Sequence, residues 1–115
     1  MAAADRSALG RLGEDAAAAW YLRNGYEIVA KNWRCRSGEI DLVCRRGRIL
    51  VICEVKTRTS DRYGSPLEAV TPAKQRRLRQ LATLYLLELP TGAPVVRFDV
   101  AAVQDGRVEV LENAF

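Results

Sequence analysis

The 115-residue chain contains no histidine. That absence excludes Ser-His-Asp and Cys-His nucleophile systems, His-ligated zinc sites and histidine-dependent nuclease chemistry. Any acid–base or metal chemistry therefore rests on carboxylates and lysine. Cysteine is scarce: Cys35, Cys44 and Cys53 are odd in number, nine apart, and form no Cys-x-x-Cys pair. They read as small buried hydrophobes in a reducing compartment, not as a disulfide framework or a zinc site. No apolar run approaches the about 18 residues that a membrane span needs. The opening stretch, MAAADRSALGRLGED, carries charges where a signal peptide needs an unbroken apolar segment. A cytoplasmic protein with no membrane association is the expectation. The length suits one domain, residues 1–115, with a real core.

What the chain does have is uneven charge. The formal net charge is +4, but residues 31–79 hold thirteen Lys or Arg against five Asp or Glu, and the remainder five against nine. A basic central segment suits a polyanion, for which nucleic acid is the usual partner. A solvated surface with scattered arginines would show the same count.

Periodicity predicts the elements. Residues 6–24 read as a helix, with Leu9, Leu12, Ala16 and Trp20 at spacings of three and four, Ala17 and Tyr21 widening the face, and Gly25 ending it. YEIVA (26–30) reads as a strand and Lys31–Ser37 as a basic connection. EIDLVCR (39–45) and RILVICEVK (48–56) read as a hairpin about Arg46-Gly47. TRTSDRYGSP (57–66) has loop composition. Thr71-Pro72 starts a second helix, as N-cap and N1, with Leu78, Leu81 and Tyr85 as its stripe and an end before Pro90. VVRFDVAAV (95–103) and RVEVL (107–111) are strands about Asp105-Gly106. The order is α-β-β-β-α-β-β, and the strand–helix–strand crossover makes its two strands parallel in a mixed sheet flanked by helices.

The hairpin carries the chemistry. Glu54 and Lys56 lie two apart in ICEVKTR, so they share a strand face. A two-residue Arg46-Gly47 turn would pair Arg45 with Arg48, Val43 with Leu50, Asp41 with Ile52 and Glu39 with Glu54. Asp41, Glu54 and Lys56 then lie on one face, Asp41 diagonal to Glu54, with Glu39 joining them. Such crowding of carboxylates is unfavourable without a cation. Hard oxygen ligands point to Mg²⁺ or Mn²⁺. Glu14, at the margin of the first helix's apolar face, can reach a site beside the sheet. Glu39 reads instead as a structural acid paired with an arginine of the basic loops. A one-residue slip in register would send Asp41 to the other face.

Phosphate contacts are assigned to Arg58 and Arg62 in the loop, to Lys74 and Arg77 on the second helix, and to Arg36 in the basic connection. Lys74, near the helix start, can turn its end toward the acidic face. Arg76 and Arg79 fit a solvated helix face equally well. Of the tryptophans, Trp20 reads as core and Trp33 as the more open, able to stack on a base.

The ordered set Gly13-Glu14-Asp15-Ala16, Gly25-Tyr26, Asn32, Gly38-Glu39-Ile40-Asp41-Leu42, Glu54-Val55-Lys56-Thr57-Arg58, Gly64, Lys74 and Arg97-Phe98-Asp99 resembles the YraN family across nearly the whole chain. Those small bacterial proteins are predicted endonucleases related to archaeal Holliday-junction resolvases, in the PD-(D/E)xK group. Ile40 stands where that group's proline would, and Cys53 where a bulkier apolar residue would. The resemblance implies an α/β, restriction-endonuclease-like α-β-β-β-α-β core with an extra C-terminal strand. It implies a metal-dependent endonuclease acting on DNA, branched or Holliday-junction-like DNA included. Asp41 and Glu54 would ligate the metal with the Val55 carbonyl as a third oxygen. Lys56 would hold or help deprotonate the attacking water, and Glu14 would add a further carboxylate. A homodimer is compatible with the resemblance, because a junction presents two symmetric strands. The alternative is a non-catalytic nucleic-acid-binding or recombination accessory module on the same fold. A third class is a protein-interaction domain whose basic segment meets an acidic partner.

Overall fold

The structure is a computed structural model that describes residues 3–59, 66–89 and 94–115. Among them, helix α1 (Ala3–Arg23) precedes strands β1 (Glu27–Cys35), β2 (Gly38–Arg46) and β3 (Ile49–Arg58). A short 3-10 turn (Pro66–Ala69) and helix α2 (Pro72–Leu86) lead into β4 (Val95–Gln104) and β5 (Arg107–Leu111). The sheet has five strands in the order β1-β2-β3-β4-β5. Only β3 and β4 run parallel, joined through α2; the other neighbours are antiparallel. This is the α-β-β-β-α-β order with an extra terminal strand that the resemblance implied.

Each helix covers one face of the sheet. Ala17, Ala18 and Tyr21 of α1 pack on Leu42, Cys44, Val51, Cys53, Ala101 and Val103. Leu78, Leu81, Ala82 and Tyr85 of α2 pack on Ile40, Val43, Leu50, Ile52, Phe98 and Val100. The two faces therefore account for the near-continuous apolar runs of β3 and β4, both buried on two sides. Cys44 and Cys53 are buried and free, as expected, and Cys35 is half-buried and free. No helix among the described residues is long and apolar enough to cross a membrane.

Local chemistry sets the ends. Thr71 is the N-cap of α2, its hydroxyl accepting from the Lys74 N–H at 3.2 Å, with Pro72 at the first helical position. Asp105 and Gly106 both have positive φ, 51° and 75°, which suits the tight two-residue link between β4 and β5.

Four expectations need correcting. The strand expected over 48–56 runs on through Thr57 to Arg58, so the loop begins later than residue 57. The basic connection 31–37 is mostly strand: β1 runs on to Cys35, because Ala30, Trp33 and Cys35 all pack into the α2-side core. The β2–β3 turn is Gly47-Arg48, not Arg46-Gly47, with Arg46 opposite Ile49 and Val43 opposite Ile52. Gly47 has φ 59° and takes the first turn position that only a left-handed backbone fits. The register thus moves by two residues, which changes partners but keeps faces. Finally, the Leu9 and Leu12 end of the first helix is not core: Leu12 is 65% exposed. That end overhangs an open concavity of about 370 Å³ beside Thr57 and the β4–β5 turn.

Candidate functional site

The acidic residues meet where the β-ladder is broken. Pairing of β2 with β3 runs from the turn only as far as Leu42 opposite Cys53. One residue further on, where Asp41 and Glu54 would face each other, the Val55 N–H donates to the Asp41 carboxylate at 2.9 Å. The side chain thus takes the place of the backbone acceptor, so the amide is satisfied although the strands part. On the other flank, Lys31 pairs with Leu42 and Trp33 with Ile40, leaving Asn32 across from Asp41. Asn32 has φ 51°, a left-handed conformation that asparagine tolerates better than most residues.

The break also upsets alternation. Ile40 is buried against α2, whereas Leu42 is buried against α1, although residues two apart in a regular strand share a face. Asp41, between them, belongs to neither face and reaches groups on both sides. Toward α1, carboxylate oxygens of Glu14, Glu39 and Asp41 lie within 4.8 Å of one another. Toward α2, Asp41 has Glu54 as its neighbour, whose charge and hydrogen bonding favour the protonated form of Asp41.

Glycine makes the α1 contribution feasible. A Cβ on Gly13 would overlap Thr57 Oγ1, so the helix can lie this close to β3 only with glycine there. Glu14, the next residue, is carried into the cluster by that approach. Burial raises the Glu14 pKa, an Asn32 hydrogen bond opposes the rise, and repulsion from Asp41 and Glu39 adds to it. Asp41 is pushed up to about 7, first by burial and then by the hydrogen bond and repulsion with Glu54; the Val55 N–H and Lys74 pull the other way.

Glu54 is only 6% exposed. Lys74 Nζ stands 3.3 Å from its Oε2 but out of line for a hydrogen bond, and that oxygen has no hydrogen-bond partner among the described residues. A buried carboxylate with one cation and an unused acceptor is poorly compensated. A hard divalent cation at these oxygens would complete them, so the donor set fits Mg²⁺ or Mn²⁺.

The structure therefore brings Glu14 and Glu39 to Asp41 on one side and Glu54 to Asp41 on the other, with Asp41 as the shared member. It adds Lys74, whose end does turn to the acidic residues but onto Glu54 itself. Glu39 has both roles, joining the cluster and pairing with Arg34 at 3.3 Å. Val55 contacts the site through its N–H to Asp41. Lys56 is half-buried and borders a concavity of about 300 Å³ with Arg58 and Ala69. Arg36 is exposed in the β1–β2 turn, and Arg77 is exposed on α2 over Gly38. Arg62 and Gly64 lie outside the described residues. Trp33 is not an open stacking platform: its indole N–H donates to Glu88 at 2.8 Å and its ring meets Tyr85 edge-on. Trp20 packs edge-on against Tyr21.

Sequence reasoning missed Asn32 as the group across from Asp41 and on Glu14. Its one signal was a polar residue interrupting the Ala30–Trp33–Cys35 stripe, which marks a kinked rung once the strand is seen to continue.

These features define an α/β domain with a carboxylate cluster at a break in its central strands, beside a lysine-bearing helix. The sequence model described as uncharacterised protein family UPF0102 matches residues 13–103. A UPF0102 protein of Symbiobacterium thermophilum is 52% identical over 112 residues, covering 93% of this chain and 95% of its own. One from Acidothermus cellulolyticus is 48% identical, covering 98% of this chain and 97% of its own. One from Frankia alni is 48% identical with both chains covered completely. The chain belongs to this family, the YraN family.

Proposed function

We propose that the protein is a metal-dependent endonuclease that hydrolyses DNA phosphodiester bonds at the Glu14–Asp41–Glu54 cluster, with branched DNA among its substrates. The observation that carries this reading is Glu54: a nearly buried carboxylate oxygen, without a hydrogen bond among the described residues, beside an Asp41 that is itself held against two further acids. Natural proteins rarely keep such a group unless it is used.

In this reading Asp41 and Glu54 hold Mg²⁺ or Mn²⁺, with Glu14 contributing from the opposite side. When bound, the ion supplies charge for the phosphate, acidity for a water and stabilisation for the leaving oxygen. Asp41 is held in place by the Val55 N–H, and Asn32 favours the ionised form of Glu14. Lys56, two residues beyond Glu54 on β3, would orient the attacking water and offset charge on the phosphate. Lys74, released from Glu54, would grip a neighbouring phosphate, joined by Arg77 and Arg36. The three free thiols suit a cytoplasmic setting, and a homodimer would match a two-fold symmetric junction.

A panel of duplex, flap and four-way DNA with Mg²⁺ or Mn²⁺ tests the reading. Cleavage by the wild type, lost in Lys56→Ala and Asp41→Asn with the fold retained, is expected. A second reading rests on the Lys74–Glu54 pair, a resident cation that already neutralises Glu54. It is a non-catalytic nucleic-acid-binding module. Salt-sensitive DNA binding without cleavage of any substrate by either metal would favour it.

A further inference from the structure

Strand β3 does not end with Lys56. Arg58 follows two residues on, where alternation returns to the same side of the strand. It is half-buried, and its Nη2 is buried with no hydrogen-bond partner among the described residues. A guanidinium N–H held out of water and left unpaired is costly, so it marks a place for an acceptor.

The surroundings suit an anion. Arg58 stands in register with Gln104 of β4, and Gln104 with Arg107 of β5, so three adjacent strands set these residues in one row. Arg58 and Arg107 border a common open concavity of about 320 Å³, in which Glu109 is the one carboxylate among the described residues. On its other side Arg58 shares the about 300 Å³ concavity with Lys56. Among the described residues, neither Arg58 nor Arg107 makes an ion pair. Among the described residues cations therefore outnumber acids around this recess, which a planar guanidinium borders.

We propose that Arg58, with Gln104 and Arg107 beside it, is a recessed receptor for a phosphate group. Arg58 lies four residues from Glu54, about 13 Å along the strand at its usual rise. The receptor is thus separate from the carboxylate cluster and positioned to hold a second phosphate of the same nucleic acid strand, beyond the one at Lys56. Its assignment to nucleic acid rests on the proposed nuclease reading; its chemistry, phosphate bound by a guanidinium fork, does not. The phosphate can be an internal phosphodiester or a terminal phosphomonoester.

The test uses the whole chain in EDTA, with wild type, Arg58→Gln and Arg58→Lys. Anisotropy is measured on duplexes carrying either a 5′-phosphate or a 5′-hydroxyl. Arg58→Gln is expected to weaken binding about tenfold and to lower the salt slope by about one. Arg58→Lys should restore the slope but only part of the affinity, since the fork is lost. A loss confined to 5′-phosphorylated DNA identifies the terminal group, and an equal loss on both identifies an internal one. Inorganic phosphate should raise the melting temperature of the wild type and not of Arg58→Gln. If Arg58→Gln binds DNA with unchanged affinity and slope, or only melts earlier with no phosphate effect in the wild type, the receptor is refuted. Mn²⁺ titration separates the two readings: absence of Mn²⁺ uptake by the wild type sinks the nuclease proposal while leaving the phosphate measurements standing.

Discussion

Two acids lie inside this sheet on neighbouring strands, and they are treated in opposite ways. Asp99 on β4 is fully buried and fully satisfied. It accepts from the Tyr21 hydroxyl at 2.6 Å, from Arg97 Nε and Nη2 at 2.9 Å each, and from the Asn113 N–H at 3.0 Å. Arg97 is itself held by the Tyr26 hydroxyl at 2.9 Å. Among the described residues, Glu54 on β3 has one lysine at 3.3 Å and an oxygen with no hydrogen bond. Both sites are buried carboxylates beside a cation, so burial and pairing alone do not distinguish them. Satisfaction does. The Asp99 network ties α1, Tyr26 just before β1, β4 and the C-terminal segment together and leaves nothing for a ligand, whereas the Asp41–Glu54 pair retains acceptor capacity that the described residues do not use.

The comparison can be broken by substitution. Asp99→Ala removes the main partner of the half-buried Arg97, leaving it Glu112 and the Tyr26 hydroxyl, and should cost about 3–5 kcal/mol in chemical denaturation. Next in size is Gly13→Ala, which forces α1 from Thr57; about 1–3 kcal/mol is expected, with weaker Mn²⁺ binding because Glu14 moves with the helix. Tyr21→Phe removes one hydrogen bond of several to Asp99 and should cost about 1 kcal/mol without altering Mn²⁺ uptake.

Asp41→Asn sharpens the contrast, because its stability effect should be small and of opposite sign. The Asp41 pKa in the folded chain is about 7, above the ordinary 3.8, so the native state binds the extra proton. The stability this gives is present in full below the ordinary value and is lost as pH rises through about 7. Metal-free Asp41→Asn, which cannot ionise, should therefore gain on the wild type between pH 5 and pH 8 in paired melting curves. By calorimetry it should also lose Mn²⁺ binding. In the wild type, Mn²⁺ affinity should rise with pH through the same range, since the ion displaces that proton. A flat pH profile would mean that Asp41 is not a ligand.

Much of the fold was legible because it rests on local rules. Thr71-Pro72 declared the start of α2, Asp105-Gly106 the last turn, and the strand–helix–strand order the one parallel pair. The carboxylates were legible as a group for the same reason: Asp41 and Glu54 are charges in otherwise apolar strands. The hairpin register was not, because Arg46-Gly47 and Gly47-Arg48 are both plausible two-residue turns. Packing chose between them, setting Val43 against Ile52 on the α2 side and Cys44 against Val51 on the α1 side. The extension of β1 to Cys35 was hidden by Lys31 and Arg34. Their charges point outward to Asp15 and Glu39 while Trp33 turns in.

By itself the sequence determined which chemistry is available: no imidazole, a set of hard oxygen ligands, lysines, and a basic middle. Those are properties of composition and short-range pattern, which no fold can add to. Only the tertiary structure decided which acids would meet. Asp41 joins Glu14 to Glu54 because two strands break alternation at the rung shared with Asn32, and because Gly13 lets a helix close on Thr57. Asp99 is spent on structure because residues 78 positions apart in the chain close around it. Whether a buried carboxylate is satisfied depends on such long-range donors, and these exist only once the chain has folded.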